Sequence, residues 1–94
     1  MIRHIVMWKF KDGELENAKI FLSKLESLKD VIPEIVNVQT GINVNPKNAF
    51  DAVLVADFKT MEDLQSYAVN PLHLEAASFC KEIRLKREAI DFEF

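Results

Sequence analysis

Hydrophobic and polar positions along the chain switch between two periods. Residues 2–11 (IRHIVMWKFK) are rich in Ile, Val, Trp and Phe and end in the charged turn Lys11-Asp12-Gly13, which predicts a first strand. From Glu14 to Asp30 the apolar residues Leu15, Ala18, Phe21, Leu22, Leu25 and Leu28 recur at spacings of three and four, the stripe of an amphipathic helix. Pro33 blocks helical continuation, and from Ile35 to Val44 the residues Val36, Val38, Thr40, Ile42 and Val44 alternate with Asn37, Gln39, Gly41 and Asn43, a strand with one buried face. The turn Asn45-Pro46-Lys47-Asn48 leads into a third strand, Phe50 to Lys59. Thr60-Met-Glu-Asp63 has the form of a capping box and predicts a short helix to about Val69. There the pattern breaks: Asn70 is placed to cap a new helix with Pro71 at its first position, followed by the stripe Leu72, Ala76, Phe79, Cys80 and Ile83. Leu85 to Phe94 alternates again, a fourth strand.

The order is β-α-β-β-α-β over residues 1–94, without repeat or linker, and predicts one α+β domain of ferredoxin-like arrangement. In that arrangement strands one and three are central, and the helices cover one face of a four-stranded antiparallel sheet. The central strands, however, are apolar on both faces. Ile2, Val6, Trp8 and Phe10 share a face with His4, while Ile5 and Met7 lie opposite; Val53 and Val55 likewise oppose Ala52, Leu54, Ala56 and Phe58. An antiparallel sheet with one wet face should alternate cleanly. Ile5, Met7, Val53 and Val55 therefore predict a homodimer formed sheet against sheet.

Composition narrows the function classes. A formal charge of −3 with 29% charged residues runs against the basic footprint of nucleic-acid binding. The single cysteine, Cys80, has no disulfide partner and no zinc-like spacing and reads as a small core residue. Charges at Arg3, His4, Lys9 and Lys11 interrupt the first apolar stretch, which excludes a signal-peptide core or a membrane span there and leaves the cytoplasm as the expected location. His4 and His73 have no ligand-like spacing, so no metal is expected.

Four segments carry a resemblance. "RHIVMWKFK", "VQTGINV", "YAVNPLH" and "IDFEF" resemble, in order and over essentially the whole chain, the stress-responsive A/B barrel (Dabb, dimeric α/β barrel) family. The Tyr-x-x-x-Pro-x-His pattern at residues 67–73 is the most specific local mark. The resemblance implies a ferredoxin-like subunit whose sheet pairs with that of a twin, and it includes a plant cyclase that closes a linear polyketide by aldol condensation without cofactor or metal. His4, Tyr67 and His73 fall on matching positions of the cyclase-like pattern. Asn70 stands where the cyclase has another histidine, and Leu25 roughly where it has a pocket tyrosine.

In a cyclase-like site His73 would be general base and acid, since a reference pKa of about 6.5 lets both protonation states exist near neutrality. Tyr67 would orient His73 or donate to a substrate carbonyl as enolate charge develops. The expected pocket lies between sheet and helices, with His4, Val6, Trp8, Leu25, Leu28 and Phe79 as ligand-binding candidates. The leading expectation is a small homodimer that binds a largely apolar small molecule, with a stress-related or uncharacterised role and no cofactor. The alternatives are a cofactor-free polyketide cyclase-like lyase using His73 and an enzyme like the antibiotic-biosynthesis monooxygenases, a fold-level analogy suggested by Trp8.

Overall fold

The computed structural model describes residues 1–94 and contains seven regular elements: β1 (Ile2–Phe10), α1 (Leu15–Ser27), β2 (Asn37–Ile42), β3 (Ala52–Phe58), α2 (Met61–Val69), α3 (Pro71–Ile83) and β4 (Arg84–Glu93). A 3-10 turn, Leu28–Asp30, follows α1. The sheet order is β2-β3-β1-β4 with every neighbouring pair antiparallel, so strands one and three are central as the sequence predicts.

The helix boundaries follow from side-chain chemistry. Thr60 Oγ1 accepts from the Asp63 amide at 3.1 Å and starts α2. Asn70 Oδ1 accepts from the Leu72 amide at 2.9 Å, and Pro71, which lacks an amide, occupies the first position of α3. The predicted stripes hold at Ala18, Phe21, Leu22, Leu25, Ala76, Cys80 and Ile83, all buried. Leu15 and Leu72, each in the first turn of its helix, stay exposed instead. The second strand is shorter than predicted: Ile35 packs into the core ahead of it, while Val44 lies beyond it with 93% exposure.

The core is a single layer between the helices and one sheet face, built of twenty apolar residues with Phe58, Ile32, Leu54 and Val6 at its centre. Asp57 is the one buried polar residue. It receives Arg3 Nε at 2.8 Å and Arg3 Nη2 at 3.1 Å, and this guanidinium holds the Asp57 carboxyl below its usual range. The opposite sheet face is not covered by any element of the chain. Register places Ile5 beside Val55 and Ile90, Met7 beside Val53, and Arg3 beside Phe92, so the apolar outer surface extends further than strands one and three alone suggest. Met7, Ile90 and Phe92 are exposed there, and Arg3 also lies over the Phe94 ring at 4.3 Å.

Two details shape the edge near the site. Asp51 ties the ends of β1 and β3 together, its amide donating to Trp8 O and its Oδ2 accepting from the Phe10 amide. Between β1 and β4 the register slips once: Trp8 pairs with Arg87 and Lys9 with Lys86, but Phe10 pairs with Arg84. The extra residue is a β-bulge, a device that re-aims side chains.

Candidate functional site

Between the helices and the inner sheet face is a cavity of about 610 Å³. Its walls are His4, Val6 and Trp8 from β1, Phe21 and Leu25 from α1, Leu54 from β3, Tyr67 from α2, and His73, Ala77 and Cys80 from α3. The remaining lining residues, Lys81 and the β4 residues Arg84, Leu85, Lys86 and Arg87, are exposed or, for Arg84, half-buried, which puts them at the opening. Mostly apolar walls with a few converging polar groups are the usual make-up of a small-molecule site.

The corner at Asn70 places the chemistry. The last carbonyls of α2 have no partner inside the helix, and two groups from the corner serve them: the Asn70 amide donates to Tyr67 O at 3.1 Å, and the His73 ring meets Ala68 O at 3.0 Å through Nδ1. A carbonyl only accepts, so His73 carries its proton on Nδ1 and presents an unprotonated Nε2. Nε2 bonds to nothing in the chain, and no fully buried side-chain nitrogen or oxygen lacks a partner, so Nε2 remains accessible. Burial is the main cause that lowers the His73 pKa below 6.5; the Ala68 bond opposes it, and the nearby His4 and Arg87 charges add to it. At neutral pH His73 is therefore a neutral imidazole with a free basic nitrogen.

Tyr67 is buried, its ring 4.3 Å from that of His73 and 5.1 Å from that of Phe58. Its hydroxyl makes no hydrogen bond within the chain, and by the same argument reaches accessible space. Burial pushes its pKa up to about 12, with Arg87 pulling the other way, so the hydroxyl stays protonated as a donor. His4 meets Tyr67 edge-on, with ring centroids 6.5 Å apart, and its Nδ1–H donates to Asp91 Oδ1 at 2.5 Å. Cys80 lies in the wall with its thiol pushed up to about 11 by burial, so it is a thiol and not a thiolate at neutral pH.

Of the residues expected from the sequence, His4, Val6, Trp8, Leu25, Tyr67 and His73 meet around this one cavity. Leu28 and Phe79 do not line it. Leu28 is core, in the 3-10 turn where α1 tightens, and Phe79 turns toward α1, where Lys24 Nζ sits 4.9 Å over its ring. Leu25 gives the wall an aliphatic surface. Asn70 has a complete structural role as a cap. Asp91, Arg84 and Arg87 escape a reading of the sequence because only strand pairing puts them here: Asp91 lies opposite His4, and Arg87 opposite Trp8. No cluster of three or more His, Cys, Asp or Glu is arranged to hold a metal ion. No helix is long and apolar enough to cross a membrane.

Comparison with known proteins gives consistent kinship. The chain is 29% identical to the olivetolic acid cyclase of Cannabis sativa over 77 residues, covering 78% of this chain and 76% of that protein. It is 24% identical over 102 residues to the stress-response A/B barrel domain-containing protein DABB1 of Arabidopsis thaliana, covering 98% of this chain but only 46% of that protein, so it spans about half of that relative's length. Among solved structures, a dimeric protein of unknown function with a ferredoxin-like fold from Bacteroides fragilis superposes with a TM-score of 0.84 at 26% identity, covering 99% of this chain and 95% of that one. The family model for the stress responsive A/B barrel domain matches residues 2–94, and the chain belongs to that family.

Proposed function

We propose that this chain acts as a homodimer, each protomer of which binds a small, largely apolar molecule in the cavity beside Tyr67 and His73. The dimer is supported by the uncovered apolar face around Ile5, Met7, Val53, Val55, Ile90 and Phe92, and by the dimeric state of the Bacteroides fragilis neighbour. Burying two or three of those side chains in each protomer stabilises by roughly 1.5 to 3 kcal/mol apiece.

A second reading, cofactor-free acid–base chemistry on that molecule, is favoured by one observation: His73 is locked in the tautomer that offers Nε2 as a base, in ring contact with the protonated Tyr67. Nε2 would take a proton from a carbon next to a carbonyl, and the Tyr67 hydroxyl would donate to the oxygen as the enolate forms. Asp91 holds the His4 ring in place beside them. The kinship with a plant cyclase supports this class of reaction.

Exchange of α-protons for deuterium in short β-keto acids and acyl thioesters, followed by NMR, tests the chemistry without knowledge of the product. His73→Ala should retain binding and lose exchange by roughly 100-fold or more, the size of a general-base contribution. Exchange that persists in His73→Ala removes the histidine from the chemistry. Failure of every such probe to bind the wild type removes the cavity from the function.

A further inference from the structure

Although the chain as a whole is acidic, at −3, the mouth of the cavity is not. Lys81, Arg84 and Arg87 line it, none of the three makes an ion pair, and no carboxylate is among the lining residues. Asp91, the nearest acid on the same strand face, is engaged by His4. Lys86, the fourth cation there, is drawn off toward Glu88 at 3.9 Å and the Phe50 ring at 5.6 Å.

Lys81 has an ordinary reason to stand in the last turn of α3, where cations offset the helix dipole. Arg84, the C-cap of α3, shares that reason, but Arg87, three residues further along β4, does not. Strict alternation along β4 would put Arg84 and Arg87, three apart, on opposite faces of the sheet. The bulge between Lys9 and Phe10 removes that conflict: Arg84 pairs with Phe10 and Arg87 with Trp8, both on the inner face. The backbone irregularity thus gathers two guanidiniums at one opening. Their fields extend inward, since Arg87 acts on Tyr67 and His73, and both arginines act on Cys80.

We infer that the molecule bound here is an amphiphile with an apolar body and an anionic head, a carboxylate or a phosphate monoester, held at the mouth by Arg84 and Arg87 with Lys81 beside them. Guanidinium forks bind both heads with paired hydrogen bonds. The apolar body then lies against Val6, Trp8, Leu25 and Leu54, and the atoms between head and body pass Tyr67 and His73. This assignment rests on the proposal that the cavity is a small-molecule site.

Octanoate, octyl phosphate and the neutral octanamide are the probes, and calorimetry is the readout. At 20 mM NaCl at least one anion should bind ten-fold or more tighter than octanamide, which corresponds to about 1.4 kcal/mol. The tighter of the two anions names the head. In the Arg84→Gln/Arg87→Gln double variant, or in 0.5 M NaCl, the ratio should fall to within three-fold while octanamide affinity holds, because screening and charge removal act on the head alone. Arg84→Lys/Arg87→Lys should keep part of the preference, and Lys47→Gln, a cation of the β2–β3 loop outside the cavity lining, should keep all of it. Equal affinity for octanamide and both anions would overturn the assignment of the head and leave the cavity proposal standing. A preference that survives the double glutamine variant would also overturn it. No binding by any of the three would overturn both.

Discussion

Tyr67→Phe separates the two roles a buried aromatic can have. The substitution removes one oxygen and leaves the ring, which is 3% exposed and packed on Phe58 and His73. A hydroxyl bonded within the chain contributes about 0.5 to 1.5 kcal/mol, and the loss is larger when a buried partner is left unpaired. The Tyr67 hydroxyl has no such partner, so urea unfolding of Tyr67→Phe should change by less than about 0.5 kcal/mol. Tyr67→Ala deletes the ring itself and should cost about 3 to 5 kcal/mol. At about 4 to 8 °C per kcal/mol for a domain of this size, the melting temperatures of the two variants should fall by less than about 4 °C and by more than about 12 °C. Ligand binding should order them differently. If Tyr67 donates to the bound carbonyl, Tyr67→Phe loses roughly 2- to 12-fold in affinity by calorimetry, the worth of one hydrogen bond. A loss of stability above about 1.5 kcal/mol in Tyr67→Phe would mean that the hydroxyl has a partner in the fold and is not a free donor in the cavity.

Three further outcomes follow from the geometry. The His73 resonance should titrate by NMR below 6.5. Since the unfolded chain binds that proton more readily, stability should be fully present above pH 6.5 and decline as pH falls from there toward the folded pKa; a midpoint above 6.5 would contradict the placement of the ring. Val55→Asp, on the outer face between Ile5 and Gln39, should shift the protein to monomer in light scattering while leaving circular dichroism unchanged, and a persistent dimer would move the interface elsewhere. Asn70→Ala should lower stability by about 1 kcal/mol in denaturant titration through loss of the α3 cap, and a neutral result would show that Pro71 alone suffices to start the helix.

Much of this was legible in the chain because it is written in short-range patterns. The strand periods, the Thr60 and Asn70 caps and the two-faced character of the strands around Ile5 and Val53 are all set by residues within a few positions of one another. The gathering of Tyr67 and His73 could be expected for the same reason, since one corner carries both. Leu28 lies off the site because a helix that tightens to a 3-10 turn rotates its last stripe residue away, and Phe79 because a stripe does not say which neighbour it meets. Asp91, Arg84 and Arg87 were invisible for a different reason. Their positions depend on the register of β4 against β1, and on a bulge within it, between segments about eighty residues apart.

β4 is an edge strand whose inner face no helix covers, and from Leu85 onward every residue of it is exposed. Substitutions at such positions on the inner face, away from Ile90 and Phe92 on the outer one, usually change stability by no more than about 0.5 kcal/mol. The residues that hold the domain together and those that rim the cavity are thus largely separate sets. Mutation along one exposed strand can change which molecule is admitted while the core of Val6, Leu54 and Phe58 goes on folding as before. A fold divided in this way can drift between ligands one surface substitution at a time, which is a physical route by which one small scaffold comes to serve many unrelated chemistries.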